Sequence, residues 1–423
     1  MLASVTRAVQ SETPTFTTRE VLAYQGVRRL LIANAVLYSG VALQSAALFK
    51  QVYDISGNEA DLGWIGLCEF LPAMLLVLVT GSLADRMNRK VMALAAITVE
   101  LFATLLLVAY ALTDPTEVRP LFAIAFLYGI GRAFAAPATR AMPPMVAPDG
   151  ALPKVIALYS ATWTAAMIIG PAVSGLLYAI DPAVAYVTSA ALVLVAMLYL
   201  SSVHFLHQPD PLDPDDKPTF RSAVEGLVFI RRTPILLAAI SLDLFAVLFG
   251  GAVALLPAIA EDRLLVGDVA YGFLRAAPGI GAAVMAIWLA ARPITKRVGP
   301  TLLVAVLVFG ASTVVLGLTT NYAVAFVALI ILAAADMISV FIRSSLVPLV
   351  TPDEKRGRVL AVENVFIGAS NELGAFESGI VAQSIGTPAT VVGGGIATMA
   401  IVGAFWIGFP ALRHVDRFED LGH

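Results

Sequence analysis

Gly81-Ser82-Leu83-Ala84-Asp85-Arg86-Met87-Asn88-Arg89-Lys90 is a charged decapeptide set between two apolar runs, residues 62–83 and 91–112. Each run is about twenty residues long, enough for a helix to cross a hydrocarbon core of about 30 Å. That core holds no water, so a spanning segment must satisfy its own backbone groups, and an isolated apolar run does so only as a helix. The decapeptide therefore reads as a short loop between two spanning helices, and the rest of the chain repeats the pattern.

The 423 residues are 59% hydrophobic and only 13% charged, with a mean hydropathy of +0.86. This is the balance of a polytopic membrane protein, not of a soluble domain. The single cysteine, Cys68, excludes an intrachain disulfide. The first 28 residues carry Arg7, Glu12, Arg19 and Glu20 with no apolar stretch, so they read as a short polar tail and not as a cleaved signal. Twelve apolar runs are expected to span: 30–52, 62–83, 91–112, 120–141, 155–179, 184–204, 234–258, 269–291, 300–319, 322–343, 359–383 and 387–410. An even number puts both termini on one side. Arg28, Arg29, Arg86, Arg89, Lys90, Arg140, Lys154, Arg231, Arg232, Arg292, Lys296, Arg297, Lys355, Arg356 and Arg358 fall on that side, against Lys50, Arg119 and Arg263 on the other. Basic loops stay inside, so the termini are expected to be cytoplasmic, in a bacterial-type inner membrane.

The longest break, 205–233, opens with a proline-rich acidic stretch, His207 to Asp216, that cannot be helix. After it, Phe220, Val224, Leu227, Val228 and Ile230 alternate with Arg221, Glu225, Arg231 and Arg232 at amphipathic spacing, which predicts a linker helix lying on the membrane surface. The organisation expected is a tail (1–29), a six-helix bundle (30–204), the linker (205–233), a second six-helix bundle (234–410) and a tail (411–423). The two bundles are related in sequence. Pro144-Met145-Val146-Ala147-Pro148-Asp149 aligns with Pro348-Leu349-Val350-Thr351-Pro352-Asp353, and the same register sets Gly170, Ser174 and Gly175 over Gly374, Ser378 and Gly379. Two residues further on in register, Pro72 meets Pro278, Arg86 meets Arg292 and Lys90 meets Lys296. A repeat of two parallel bundles suits a transporter whose substrate site lies between them.

The decapeptide follows, nearly position for position, the loop signature Gly-x-Leu-Ala-Asp-Arg-x-x-Arg-Lys, and on it the chain resembles the major facilitator superfamily. The resemblance covers almost the whole length and implies an all-α membrane fold of two pseudo-symmetric six-helix bundles. It implies further that Asp85 meets the N-terminal end of the eleventh helix, where the helix dipole favours a carboxylate, and that Arg86 and Arg89 pair with nearby acids to hold the cytoplasmic side shut. The second-half copy, Ala290 to Arg297, lacks the Asp. Glu69-Phe70-Leu71-Pro72, Gly129-Ile130-Gly131-Arg132-Ala133-Phe134 and Asn371-Glu372-Leu373-Gly374-Ala375-Phe376-Glu377-Ser378-Gly379 are similar to the branch containing the enterobactin exporter and macrolide and drug efflux proteins. Gly170-Pro171-Ala172-Val173-Ser174-Gly175 resembles the glycine-proline motif of antiporters, with Ala166 where an upstream Gly is expected; ordinary packing of small residues accounts for the same sequence.

Ionisable groups inside the spans are costly and therefore functional candidates. They are Glu69, Glu100, Arg132, Asp243, Arg275, Asp336, Glu363, Glu372 and Glu377. In the family's fold the first, fourth, seventh and tenth helices line the central cavity, so the resemblance places Arg132, Asp243 and Asp336 there, at depths of roughly 13, 14 and 10 Å at about 1.5 Å per residue. Arg132 is expected to pair with Asp243, or failing that Asp336, in a proton-sensitive pair; a static pair with Glu100 is the alternative. Glu69 and Glu377 are expected to approach each other, Glu363 to answer Arg86 or Arg89, and Glu372 to point elsewhere. Asn34, Tyr38 and Gln44, with Tyr159, Trp163, Phe245 and Phe249, are candidate lining of a substrate path; Gly170, Pro171, Gly175, Gly374 and Gly379 are candidate packing positions.

No nucleotide-binding loop ending in Lys-Ser or Lys-Thr is present, and one Cys with scattered His builds no metal cluster. No cofactor, metal or nucleic-acid partner is expected, nor an enzyme activity; the partners expected are the bilayer, a small-molecule substrate and protons, for a monomer. The leading reading is a proton-coupled antiporter exporting amphipathic small molecules, siderophore or drug. A proton-coupled importer is the alternative, and a non-transporting scaffold or receptor is disfavoured by charges where a scaffold would use Leu.

Overall fold

A computed structural model describes residues 16–207 and 220–421, with the side chains of residues 77–86 and 220–223 excepted. Twelve long helices follow in order: α1 (Gln25–Ser56), α2 (Glu59–Arg86), α3 (Arg89–Ala111), α4 (Arg119–Arg140), α5 (Leu152–Tyr178), α6 (Pro182–Ser201), α7 (Pro234–Phe249), α8 (Asp268–Ala291), α9 (Val298–Leu318), α10 (Tyr322–Val350), α11 (Asp353–Ile385) and α12 (Thr387–Gly408). Among the described residues, ten helices are long and apolar enough to cross a membrane; α2 and α11 are the long helices outside that set. Two of the charges that lower the hydropathy of α11, Glu363 and Glu372, belong to the site.

Several helices overrun the apolar runs that announce them. α1 continues to Ser56, where Gly57 stops it in the left-handed region at φ 58°, a conformation glycine adopts without strain. α7 is the least regular: after Phe249 the chain passes through a 3-10 turn (Gly251–Leu255), a short α-helical turn (Leu256–Ala258) and a π-helical turn (Ile259–Arg263). Gly250 and Gly251 sit at the break, a β-carbon at Gly251 standing 2.4 Å from the Gly374 carbonyl of α11. Before α1, the tail holds a short helix (Thr18–Ala23) started by a capping box, in which Glu20 accepts from the Thr17 amide at 2.7 Å and Thr17 from that of Glu20. Those bonds hold the Glu20 carboxyl below its usual range.

The linker helix (Phe220–Arg232) does more than lie on a surface. Gly226 packs so closely on α11 that a β-carbon would stand 2.8 Å from the Arg358 carbonyl; Arg358 pairs with Glu225 at 2.6 Å, and Lys355 stacks over Phe229. Ile230 is buried, whereas Val224, Leu227 and Val228 stay exposed. The proline-rich stretch and Arg221 fall outside the described residues or side chains.

Because successive spans reverse direction, each helix has an end on the side of the termini and an end on the far side. The two halves meet on the far side. There α5 packs on α8, and α2 on α11. A β-carbon at Gly175 would stand 2.5 Å from the Asp268 carbonyl and 2.8 Å from the Cα of Gly272, and one at Gly379 would stand 2.8 Å from the amide nitrogen of Gly63. Trp64 and Phe376 close the α2–α11 seam edge to face, centroids 4.8 Å apart. The small residues let the backbones touch, and van der Waals contact then seals the halves together. Among the described residues, the hydrogen bonds and ion pairs between the halves lie toward this side: Lys50 to Glu261 and Asp268, Tyr53 to Asp262, Thr387 to Glu59 and Tyr271 to Ala46.

Candidate functional site

The site is built around α4. Gly129 presses α4 on α2, where a β-carbon would stand 2.3 Å from the Glu69 carbonyl, and Gly131 presses it on α3, 2.8 Å from the Glu100 side chain. Two missing side chains on opposite flanks thus draw α4 between its neighbours and set Arg132 beside Glu69, Nη1 to Oε2 3.7 Å. The pair is lopsided: the Glu69 side chain is 8% exposed and that of Arg132 48%. Arg132 therefore faces open space, and from the other half Glu372 lies within its electrostatic reach. Arg275 of α8 interacts with the same two acids; it donates to the Val253 carbonyl at 2.8 Å and stacks over Phe49 of α1. Four charges, two from each half, so converge beneath the sealed far side. The Tyr128 hydroxyl, buried among Glu69, Glu100 and Arg132, finds no hydrogen-bond partner among the described residues.

This arrangement corrects three expectations. Arg132 pairs with neither Asp243 nor Asp336, and Glu100, though buried against Gly131, is not its ion-pair partner. The acid of α11 that approaches Glu69 is Glu372, expected from the sequence to point elsewhere, and not Glu377. Phe376 and Gly379 touch α2, and Glu372, four residues before the first and seven before the second, shares their face. Glu377 is turned by about 100° from Phe376, and the charges acting on Glu69 are those of Arg132, Glu372 and Arg275, not that of Glu377.

A second cluster lies within the second half. Arg343 of α10, 3% exposed, pairs with Asp243 of α7 at 2.7 Å and with Glu363 of α11 at 3.6 Å, and its Nε reaches the Ser339 hydroxyl at 3.4 Å. Asp336 interacts with Asp243 and Arg343, and a small cavity lies between Asp243, Asp336 and Ser339. Glu363 thus answers Arg343 and not Arg89. Arg89 instead donates to the Ala141 carbonyl at the end of α4, 3.3 Å. The side chains of Asp85 and Arg86 lie outside the described residues.

The expected path lining divides in two. Asn34 is buried and donates to Thr162 at 2.8 Å and to the Tyr159 carbonyl at 3.3 Å, while Tyr159 donates to the Thr139 carbonyl; both tie helices of the first half together. Gln44, also buried, accepts from Thr104 of α3 at 2.6 Å. The hydrogen bonds satisfy these groups, as buried polar groups require, and Asn34 and Tyr159 border a small cavity with Thr139. Tyr38 and Phe249 are partly buried, and Trp163 and Phe245 are exposed. Gly170 seats α5 on α1 and Gly374 seats α11 on α7, while Pro171, Gly175 and Gly379 belong to the seams between the halves.

The sequence pattern of the Major Facilitator Superfamily matches residues 30–375. Over 228 residues the chain is 26% identical to Macrolide efflux protein A of Streptococcus pyogenes, a match covering 53% of this chain and 56% of that protein, so it spans little more than half of this relative. It is 24% identical over 406 residues to the Multidrug efflux pump Tap of Mycolicibacterium fortuitum, covering 92% of this chain and 97% of that one. Among solved structures, a POT family transporter in complex with 5-aminolevulinic acid superposes with a TM-score of 0.71 at 12% identity, covering 92% and 96% of the two chains, a likeness of fold.

Proposed function

Because the chain belongs to the major facilitator superfamily and is a multi-pass membrane transporter, not an enzyme, we propose that it exports amphipathic drug-like molecules by alternating access. The relatives named for macrolide and multidrug efflux support the direction and the cargo class. The basic residues on the terminal side support cytoplasmic termini, so that the halves part toward the cytoplasm and cargo enters from there.

The observation that carries the coupling is the lopsided Arg132–Glu69 pair. A guanidinium 48% exposed and held at 3.7 Å by one carboxylate, with Glu372 of the opposite half in reach, is free to exchange partners. The Asp243–Arg343 pair, at 2.7 Å with both side chains under 10% exposed, has the character of a fixed strut. In the reading proposed, a proton on Glu69 or Glu372 releases Arg132 from one half, and cargo binding favours the opposite exchange. An exchange of this kind gives a population shift with a physical cause, since each ligand interacts differently with the two states. Asp243 and Asp336 remain the second choice for the coupling acid.

Reconstituted vesicles with an imposed pH gradient, offered a dye, a macrolide and a catecholate siderophore, test the proposal. Wild type is expected to move dye or macrolide against its gradient with the proton flux opposed. Glu69→Gln and Glu372→Gln are expected to abolish the pH-gradient dependence, whereas Asp243→Asn keeps it. Full gradient dependence in both glutamine variants would overturn the assignment, and cargo and proton moving together would replace antiport by symport.

A further inference from the structure

We infer that Lys50 is an electrostatic latch that holds the far side shut. It stands near the far end of α1, only 7% exposed. Its ammonium bonds to Asp54, one turn on along its own helix, and reaches Glu261 at 3.0 Å and Asp268 at 3.4 Å. Glu261 lies in the π-helical turn that ends the extension of α7, and Asp268 opens α8, so both belong to the other half. Asp54 is fixed in turn by the Tyr178 hydroxyl of α5 at 2.7 Å. One cation therefore gathers three carboxylates, one from its own half and two from the opposite one.

The arithmetic of charge gives the latch its direction. With the ammonium in place, each cross-half contact is an attraction between a buried cation and a partly exposed acid, Glu261 or Asp268. Without it, Asp54 confronts Glu261 and Asp268 as a like charge across the seam, and the halves repel where they must touch. Hydrogen bonds beside it, Tyr53 to Asp262 and Thr387 to Glu59, are made on closure in the same way but carry no such reversal of sign. Lys50 is thus a positioning residue for the transport cycle, acting through Glu261 and Asp268 and not on cargo.

The test needs neither cargo nor a pH gradient, so its outcome is independent of the export proposal. In the full-length protein in nanodiscs, Cys68→Ala removes the native thiol and Ala46→Cys places a reporter that is buried beneath Tyr271, whose hydroxyl donates to the Ala46 carbonyl at 3.0 Å. Maleimide reaches this thiol only when the far side opens. Lys50→Met is expected to raise the labelling rate about tenfold, as when a state populated at about 1% rises to about 10%, while Lys50→Arg leaves it near the starting value. In a Glu261→Gln, Asp268→Asn background, where labelling is raised only a few-fold, adding Lys50→Met should change it by less than about twofold, because the charge it neutralised has gone. No rise with Lys50→Met overturns the latch. So does a tenfold effect that persists in the neutralised background, which would make Lys50 a space-filling contact; this second comparison decides the matter even if the single variant fails to fold.

Discussion

Removing Asp243 tests the assignment of the second-half cluster as a strut. At an effective dielectric constant of about 20, a pair at 2.7 Å is worth about 6 kcal/mol before desolvation, and one at 3.6 Å about 5 kcal/mol. Asp243→Ala therefore leaves Arg343 with Glu363 and nearly half of its attraction, along with the Ser339 hydroxyl. Breaking a buried pair costs about 3–5 kcal/mol, and retention of Glu363 puts this variant at the lower end, about 3 kcal/mol. Arg343→Ala is the harsher change. It strands Asp243 and Glu363 with Asp336 close by, three carboxyl groups and no cation, and should cost about 5 kcal/mol or more. Replacing both partners, Asp243→Leu with Arg343→Met, should recover part of the Arg343→Ala loss, since Asp243 no longer stands unpaired while Glu363 and Asp336 remain without a cation. Reversible unfolding in mixed micelles, followed by tryptophan fluorescence, measures all three. The reasoning fails if Arg343→Ala costs no more than Asp243→Ala, or if the double variant is as unstable as the sum of the two singles.

Two further predictions concern the ends of the cavity. Gly175→Leu sets a side chain where a β-carbon already lies 2.5 Å from the Asp268 carbonyl, so it should cost the sealed far side about 1–3 kcal/mol and raise maleimide labelling of Ala46→Cys; unchanged labelling would show that the α5–α8 seam has room. Asp85→Asn should weaken the state closed on the terminal side, since the second-half copy of the decapeptide has no acid to share the task; thiol accessibility at the terminal-side entrance should rise, and if it does not, the loop is only a topology anchor.

The helices were legible because spanning segments announce themselves in hydropathy, and the halves because Pro144 to Asp149 repeats at Pro348 to Asp353. The charge partners were not, for two physical reasons. The first is that a paired charge extends a helix which hydropathy ends at that charge. Arg343 closes the apolar run 322–343, yet α10 continues to Val350, so a residue read as a boundary is the centre of a cluster. Lys50, near the end of the run 30–52, counts with the far-side basic residues, although α1 runs six residues past it and the broken end of α7 brings Glu261 to it. The second is rotation. Each residue turns a helix by about 100°, so fourteen residues place Glu363 and Glu377 on nearly one face of α11 without telling which face meets α2; the close contacts of Phe376 and Gly379 decide that, and they select Glu372. Pseudo-symmetry does not help here. Arg132 and Glu69 align with Asp336 and Arg275, but the second half makes its tight pair from Asp243 and Arg343 instead, with Arg275 turned to the Val253 carbonyl. The repeat therefore conserves helix packing while the charges have been redistributed. One half carries a loose pair open to the cavity and the other a fixed one, the asymmetry expected if one bundle exchanges ions while the other keeps its shape.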